Sequence, residues 1–211
     1  MSQKFPITKQ RIRNHFQYFW WQYAALVLVA VLGWNLVYTV TRYRSPEHLK
    51  VEWYYEGVTS MDTQAKTRTL LDEVWADLFP EMEEVTFTLV GMDESYGQIQ
   101  LTVWAAAGQG DLYMLSPESF QGLAGSGSFV NLQPYVDNGT LNVEGIDLTS
   151  GYVTDFETGE TVLAGIPTNS LPGFLKYDVD YRDKYMSLLI TGGNDENAIK
   201  LMAYFLDNMR E

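Results

Sequence analysis

The chain has 211 residues, no cysteine, 14 Lys and Arg against 27 Asp and Glu, and a formal charge of −13. This acidic balance argues against a nucleic-acid partner, whose phosphates are held by clustered Lys and Arg, and the lack of Cys removes disulfides, thiolate nucleophiles and Cys-ligated zinc. With 46% hydrophobic and 19% charged residues there is enough apolar material to bury a core.

No Lys, Arg, Asp or Glu occurs between Arg13 and Arg42, and the stretch Tyr23–Val40 is almost wholly apolar. A helix from Tyr18 to Val40 rises roughly 34 Å, enough to cross a hydrocarbon core with some tilt. Aromatic residues crowd its entry (Phe16, Tyr18, Phe19, Trp20, Trp21, Tyr23) and mark its exit (Trp34, Tyr38, Tyr43), as expected at a headgroup interface. Lys4, Lys9, Arg11 and Arg13 precede the span without an acid, which predicts a cytoplasmic N-terminus. A cleaved signal peptide is the rival reading, but Thr39 to Ser45 lacks a small-x-small cleavage site. The expected organisation is a basic cytoplasmic tail (1–16), a signal anchor in contact with membrane lipid (17–41), a linker (42–50) and an extracellular domain (51–211). Seven cations and one acid lie in residues 1–50, against seven cations and 26 acids in 51–211, so the outer region carries −19.

In that region Val51–Glu56 is rich in β-branched and aromatic residues and predicts a strand. Ser60 or Asp62 caps a helix with Leu70, Val74 and Leu78 at helical spacing, ended by Pro80. Val85–Val90 alternates as a second strand. Asp93 offers an N-cap to a helix over Tyr96–Ala107 that brings Ile99, Val103 and Ala106 onto one face before Gly108 and Gly110 stop it. The short apolar run Asp111–Leu115 has the form of a strand buried on both faces. Ser116, Pro117 and Glu118 start the next helix, which cannot pass Gly125-Ser126-Gly127. Strand and helix thus alternate three times, which predicts an α/β, three-layer domain with a mostly parallel sheet. Tyr152–Phe156 and Glu160–Ile166 flank Thr158-Gly159 as a hairpin ended by Pro167, and Lys176–Val179 or Leu188–Thr191 would add a strand. The last helix has Asn194 as cap, Asp195 and Glu196 in its first turn, and Ala198, Ile199, Met202, Leu206 and Met209 on one face.

Gly108–Val136 (GQGDLYMLSPESFQGLAGSGSFVNLQPYV), Glu160–Asn169 (ETVLAGIPTN) and Gly192–Met209 (GGNDENAIKLMAYFLDNM) together resemble the extracellular solute-binding proteins of ABC importers, especially the carbohydrate-binding ones. The resemblance implies a non-enzymatic role in ligand capture or accessory contact with the importer's membrane subunits, a sugar or other small-molecule ligand, and no cofactor. Members of that family are two-lobed. Here only about 27 residues separate Pro167 from the terminal helix, so a single lobe is expected.

Ligand contacts of an open α/β sheet lie at the C-terminal ends of its parallel strands. That rule selects Tyr55 and Glu56 after the first strand, Ser116 and Glu118 after the third, and Thr168 and Asn169 after the hairpin. Trp53, Tyr54, Tyr55 and Trp104 offer aromatic faces, although alternation along the strand sends about half of the first three into the core. Capping alone also accounts for Ser116 and Glu118. Asp178, Asp180 and Asp183 crowd together with Arg182 among them and without calcium-loop spacing, so no metal site is expected. Both His residues, His15 and His48, flank the span, which leaves the outer domain without the base of a Ser-His-Asp triad. Asn138-Gly139-Thr140 has the form of a turn. The rival to solute binding is a non-catalytic interaction module in which the lobe has lost its ligand.

Overall fold

The computed structural model of the chain describes residues 9–58, 60–91, 96–190 and 195–210. They form two units, Met1–Arg44 and Ser45–Glu211. The first is the helix α1 (Lys9–Thr41), whose segment Gln17–Thr41 is long and apolar enough to cross a membrane, with mean hydropathy 1.9 and none of its most apolar stretch buried.

The second unit is built on a five-stranded sheet. Strand β1 (Lys50–Glu56) pairs in parallel with β2 (Glu84–Val90) and β3 (Leu112–Leu115). Helix α2 (Met61–Leu78) links β1 to β2, and α3 (Tyr96–Ala106) lies between β2 and β3 in the chain. After β3 come α4 (Pro117–Gly125), α5 (Gln133–Asp137) and a hairpin of β4 (Tyr152–Thr154) and β5 (Thr161–Leu163). Then β6 (Ile166–Pro167) and β7 (Tyr185–Leu188) return to the main sheet, and α6 (Asp195–Asn208) follows. The strand order is β2-β1-β3-β7-β6. Because β7 is antiparallel to both β3 and β6, four strands run one way and β7 alone runs against them.

Local chemistry explains the helix starts. Ser60 accepts from the Thr63 amide while Thr63 answers to the Ser60 amide, a capping box that opens α2. Ser116 accepts from the Ser119 amide at 3.4 Å, with Pro117 in the first turn of α4. The Asp93 and Asn194 caps lie outside the described residues.

Two apolar layers sandwich the sheet. On one face Val51, Trp53, Tyr55, Leu112 and Met114 pack with Leu70 and Val74 of α2 and Met202 and Phe205 of α6. On the other, Tyr54, Tyr113 and Leu115 pack with Leu101 of α3 and Phe120 of α4. Trp53, Tyr54 and Tyr55 are therefore all buried, rather than alternately so. A strand covered on both faces has no solvent side, and each such aromatic contributes roughly 2–3 kcal/mol by leaving water.

Two expectations are corrected, and the direction in which the α3 face points is settled. Ile166–Pro167 does not close the hairpin but pairs with β7 in the main sheet; Pro is tolerated because β6 is an edge strand. Lys176–Val179 is no strand: Pro172–Tyr177 is a 3-10 helix that drives Phe174 into the core, and Asp178 ends it in the left-handed region at φ 56°. The face of α3 carrying Ile99, Val103 and Ala106 points to solvent, while Gly97 and Leu101 are buried, because α3 has an apolar stripe on each side.

Candidate functional site

The strand directions bring the ends of β1, β3 and β6 to one edge of the lobe, together with the segment 168–184 that joins β6 to β7. Glu56, the last residue of β1, is buried there. Its Oε2 accepts from the Ser116 amide at 2.7 Å and its Oε1 from the Ser119 hydroxyl at 2.9 Å. The carboxylate thus caps α4 in addition to Ser116, and stands where the helix concentrates positive charge.

Lys184, also buried, donates to the Glu56 carbonyl at 2.6 Å, and its ammonium lies 5.2 Å from the centre of the Tyr55 ring. Burial pushes the Lys184 pKa down, against the opposing pull of Glu56 and Asp180. Tyr55 is buried and donates to the Asp180 carbonyl at 3.3 Å; burial pushes its phenol up to about 12.

Thr168 is fully buried. Its hydroxyl contacts the Tyr181 and Lys184 carbonyls, the second at 3.0 Å, and its amide donates to the Lys184 carbonyl at 3.0 Å. Asn169 is exposed and accepts from the Asp183 amide at 2.7 Å. These bonds close the segment 168–184 at its two ends, while Phe174 anchors its middle in the core.

Tyr55, Glu56, Ser116, Thr168 and Asn169 therefore meet at one edge, but each of them bonds to the chain itself. Glu118 is different: exposed, it lines a groove of about 410 Å³ between α3 and α4, together with Gln98, Thr102, Ser119, Gly122 and Ser126 over a floor of Leu101 and Leu123. Trp104 is half-buried with its ring centre 5.2 Å from that of Tyr54 in an edge contact, a packing role. Asp180 is held by Arg182 at 2.9 Å, which keeps its carboxyl below the usual range. Among the described residues no three His, Cys, Asp or Glu side chains stand together as a metal site.

Lys184 and Ser119 escaped the reading of the sequence. The signal for Lys184 was a cation directly preceding the apolar run Tyr185–Ile190, and it acquires meaning only once β7 is known to run against β3.

No protein-family model and no curated protein matches the chain. Among solved structures, a family 1 extracellular solute-binding protein from Alicyclobacillus acidocaldarius is 19% identical, over 59% of this chain and 29% of its own, with a TM-score of 0.44. An N-glycan transport solute-binding protein from Streptococcus pneumoniae is 14% identical, over 58% of this chain and 25% of its own, with a TM-score of 0.41. The matched part of this chain thus spans less than a third of those proteins. The second unit is an α/β lobe on a mostly parallel five-stranded sheet.

Proposed function

We propose that the chain is a membrane-anchored, extracellular, non-catalytic module whose solute-binding-like lobe works by protein contact, as an accessory to an ABC-type importer. The observation that carries this reading is the self-satisfied strand edge: the Glu56 carboxylate, the Thr168 hydroxyl and the Tyr55 phenol all bond within the lobe. A solute would have to break these contacts, and each buried group left unpaired costs about 1–3 kcal/mol. In this reading residues 1–16 are cytoplasmic, 17–41 span the membrane, 42–50 form the linker, and Tyr55, Glu56, Ser116, Thr168 and Asn169 brace the segment 168–184. The resemblance in Gly108–Val136 supports an importer as the partner class.

A second reading, weak direct binding of a hydroxyl-rich solute such as a sugar, is favoured by the amide, hydroxyl and carboxylate groups that line the α3–α4 groove. Thermal melts of the full-length protein in detergent against a panel of sugars and oligosaccharides separate the two. A bound ligand at 100 times its Kd adds about 2.7 kcal/mol to stability. A flat response at millimolar sugar, with importer membrane subunits recovered on purification from the native membrane, is the expected result. Melting temperatures that climb with sugar concentration would instead establish the second reading, and purification without any partner would overturn the first.

A further inference from the structure

The helix α3 carries no charged residue and is apolar on both sides. Leu101 faces the core, while Tyr96, Ile99 and Val103 on the opposite side are 69%, 63% and 59% exposed. An exposed apolar stripe of this kind marks a contact surface. Next to the stripe lies the α3–α4 groove, where Gly122 has open space above it, so a second backbone can approach closely.

Charge identifies what fits there. Between Arg68 and Lys176 the chain has no Lys or Arg and 16 Asp and Glu. Glu118 lies at the start of α4, and the turn holding Asp155, Glu157 and Glu160 abuts its end, where the Phe156 amide donates to the Gly125 carbonyl at 2.8 Å. The surface thus sets the exposed apolar stripe of α3 beside a groove lined mostly by polar residues and is acidic at both ends of α4. A second copy of this chain would set acid against acid, and an anionic lipid surface would be repelled in the same way.

We infer that α3 and the α3–α4 groove dock an amphipathic helix of another protein, with its apolar face on Ile99 and Val103 and its Lys or Arg residues at Glu118 and the 155–160 turn. This helix-in-groove contact rests on the protein-contact reading above and names the surface that would serve it.

The test places the photo-crosslinker p-benzoylphenylalanine at Ile99 or Val103 of the full chain in its native membrane, with the linked segment identified by mass spectrometry. The expected product joins these positions to a segment of one partner with apolar residues at helical spacing and a net positive charge. Combining Glu118→Lys with Glu157→Lys should cut the adduct roughly ten-fold, and Glu118→Gln with Glu157→Gln, which places no cation at the start of α4, should weaken it in the same direction while the lobe stays folded. An adduct to a second copy, to lipid or to an acidic or neutral segment overturns the inference, as does an adduct insensitive to charge reversal. A partner that copurifies without linking at either position overturns the docking surface alone, whereas the absence of any copurifying partner overturns the protein-contact reading and the surface with it.

Discussion

Glu56 joins three structural tasks in one side chain. It ends β1, caps α4 through Ser116 and Ser119, and places its carbonyl where buried Lys184 needs an acceptor. Glu56→Ala leaves two donors of α4 without their acceptor and should lower unfolding stability by about 2–3 kcal/mol, while Glu56→Gln, which keeps one oxygen, should cost less. Urea unfolding of the full-length protein followed by tryptophan fluorescence measures both. The buried phenols set the alkaline limit. Burial pushes Tyr54 and Tyr55 up to about 12, Glu52 adding to the effect at Tyr54, and raises Tyr113 as well. An unfolded phenol ionises near 10, so between pH 10 and 12 the folded chain holds more protons than the unfolded one. Their contribution is full below pH 10 and is lost as pH rises through 12. Lys184 acts with the opposite slope: its lowered pKa means that stability rises with pH until the unfolded lysine also loses its proton. The part of the tyrosinate absorbance that Tyr54→Phe, Tyr55→Phe and Tyr113→Phe remove should therefore appear only with the loss of near-UV circular dichroism; if that part forms near pH 10 while the fold persists, the assignment is refuted.

At the scale of elements, the turn between α3 and β3 shows how backbone and core constrain each other. Gly110 has φ +83°, and a Cβ there would stand 2.4 Å from the Tyr54 ring. Its amide donates to Glu52 at 3.1 Å, and the Glu52 amide donates to Asp111 at 2.8 Å, which fixes the register of β3 against β1. Gly110→Ala should destabilise the lobe by about 1–3 kcal/mol from backbone strain alone, with the clash adding to it. Thermal denaturation would show this as a lower Tm; an unchanged Tm would refute the strain and the clash together. Phe205 of α6 packs against Trp53 with ring centres 4.8 Å apart and is fully buried. Phe205→Ala should cost about 3–5 kcal/mol, visible as a lower urea midpoint. By contrast, Ile99→Gln on the exposed side of α3 should leave stability nearly unchanged.

For the whole molecule, the unequal charge of the two regions, seven cations and one acid over residues 1–50 against a net −19 beyond, bears on orientation. A span with its basic end inside places the acidic lobe outside. Protease added to intact cells should therefore remove the region beyond Ser45, and complete protection would reverse the orientation. An edge sealed by its own residues and the exposed apolar stripe of an uncharged α3 both favour a lobe that meets another protein over one that closes on a solute.

The alternation of strands and helices, the Ser60 and Ser116 caps and the apolar span were legible in the sequence because each is written locally: in periodicity, in a hydroxyl before a helix, in an uncharged run. The same rules placed Tyr55, Glu56, Ser116 and Thr168 at strand ends. They did not disclose that these residues bond to each other, since Glu56 and Ser119 are 63 positions apart and Lys184 is 128 from Glu56. Nor does periodicity choose between two apolar stripes on α3, or show that all three aromatics of Trp53–Tyr55 are covered. Those outcomes depend on which elements pack on each face of the sheet. Local sequence determined where the chain turns, coils and extends. Only the tertiary structure decided which face lies inward and which polar groups are already satisfied, because burial and hydrogen bonding between distant segments are properties of the packed lobe.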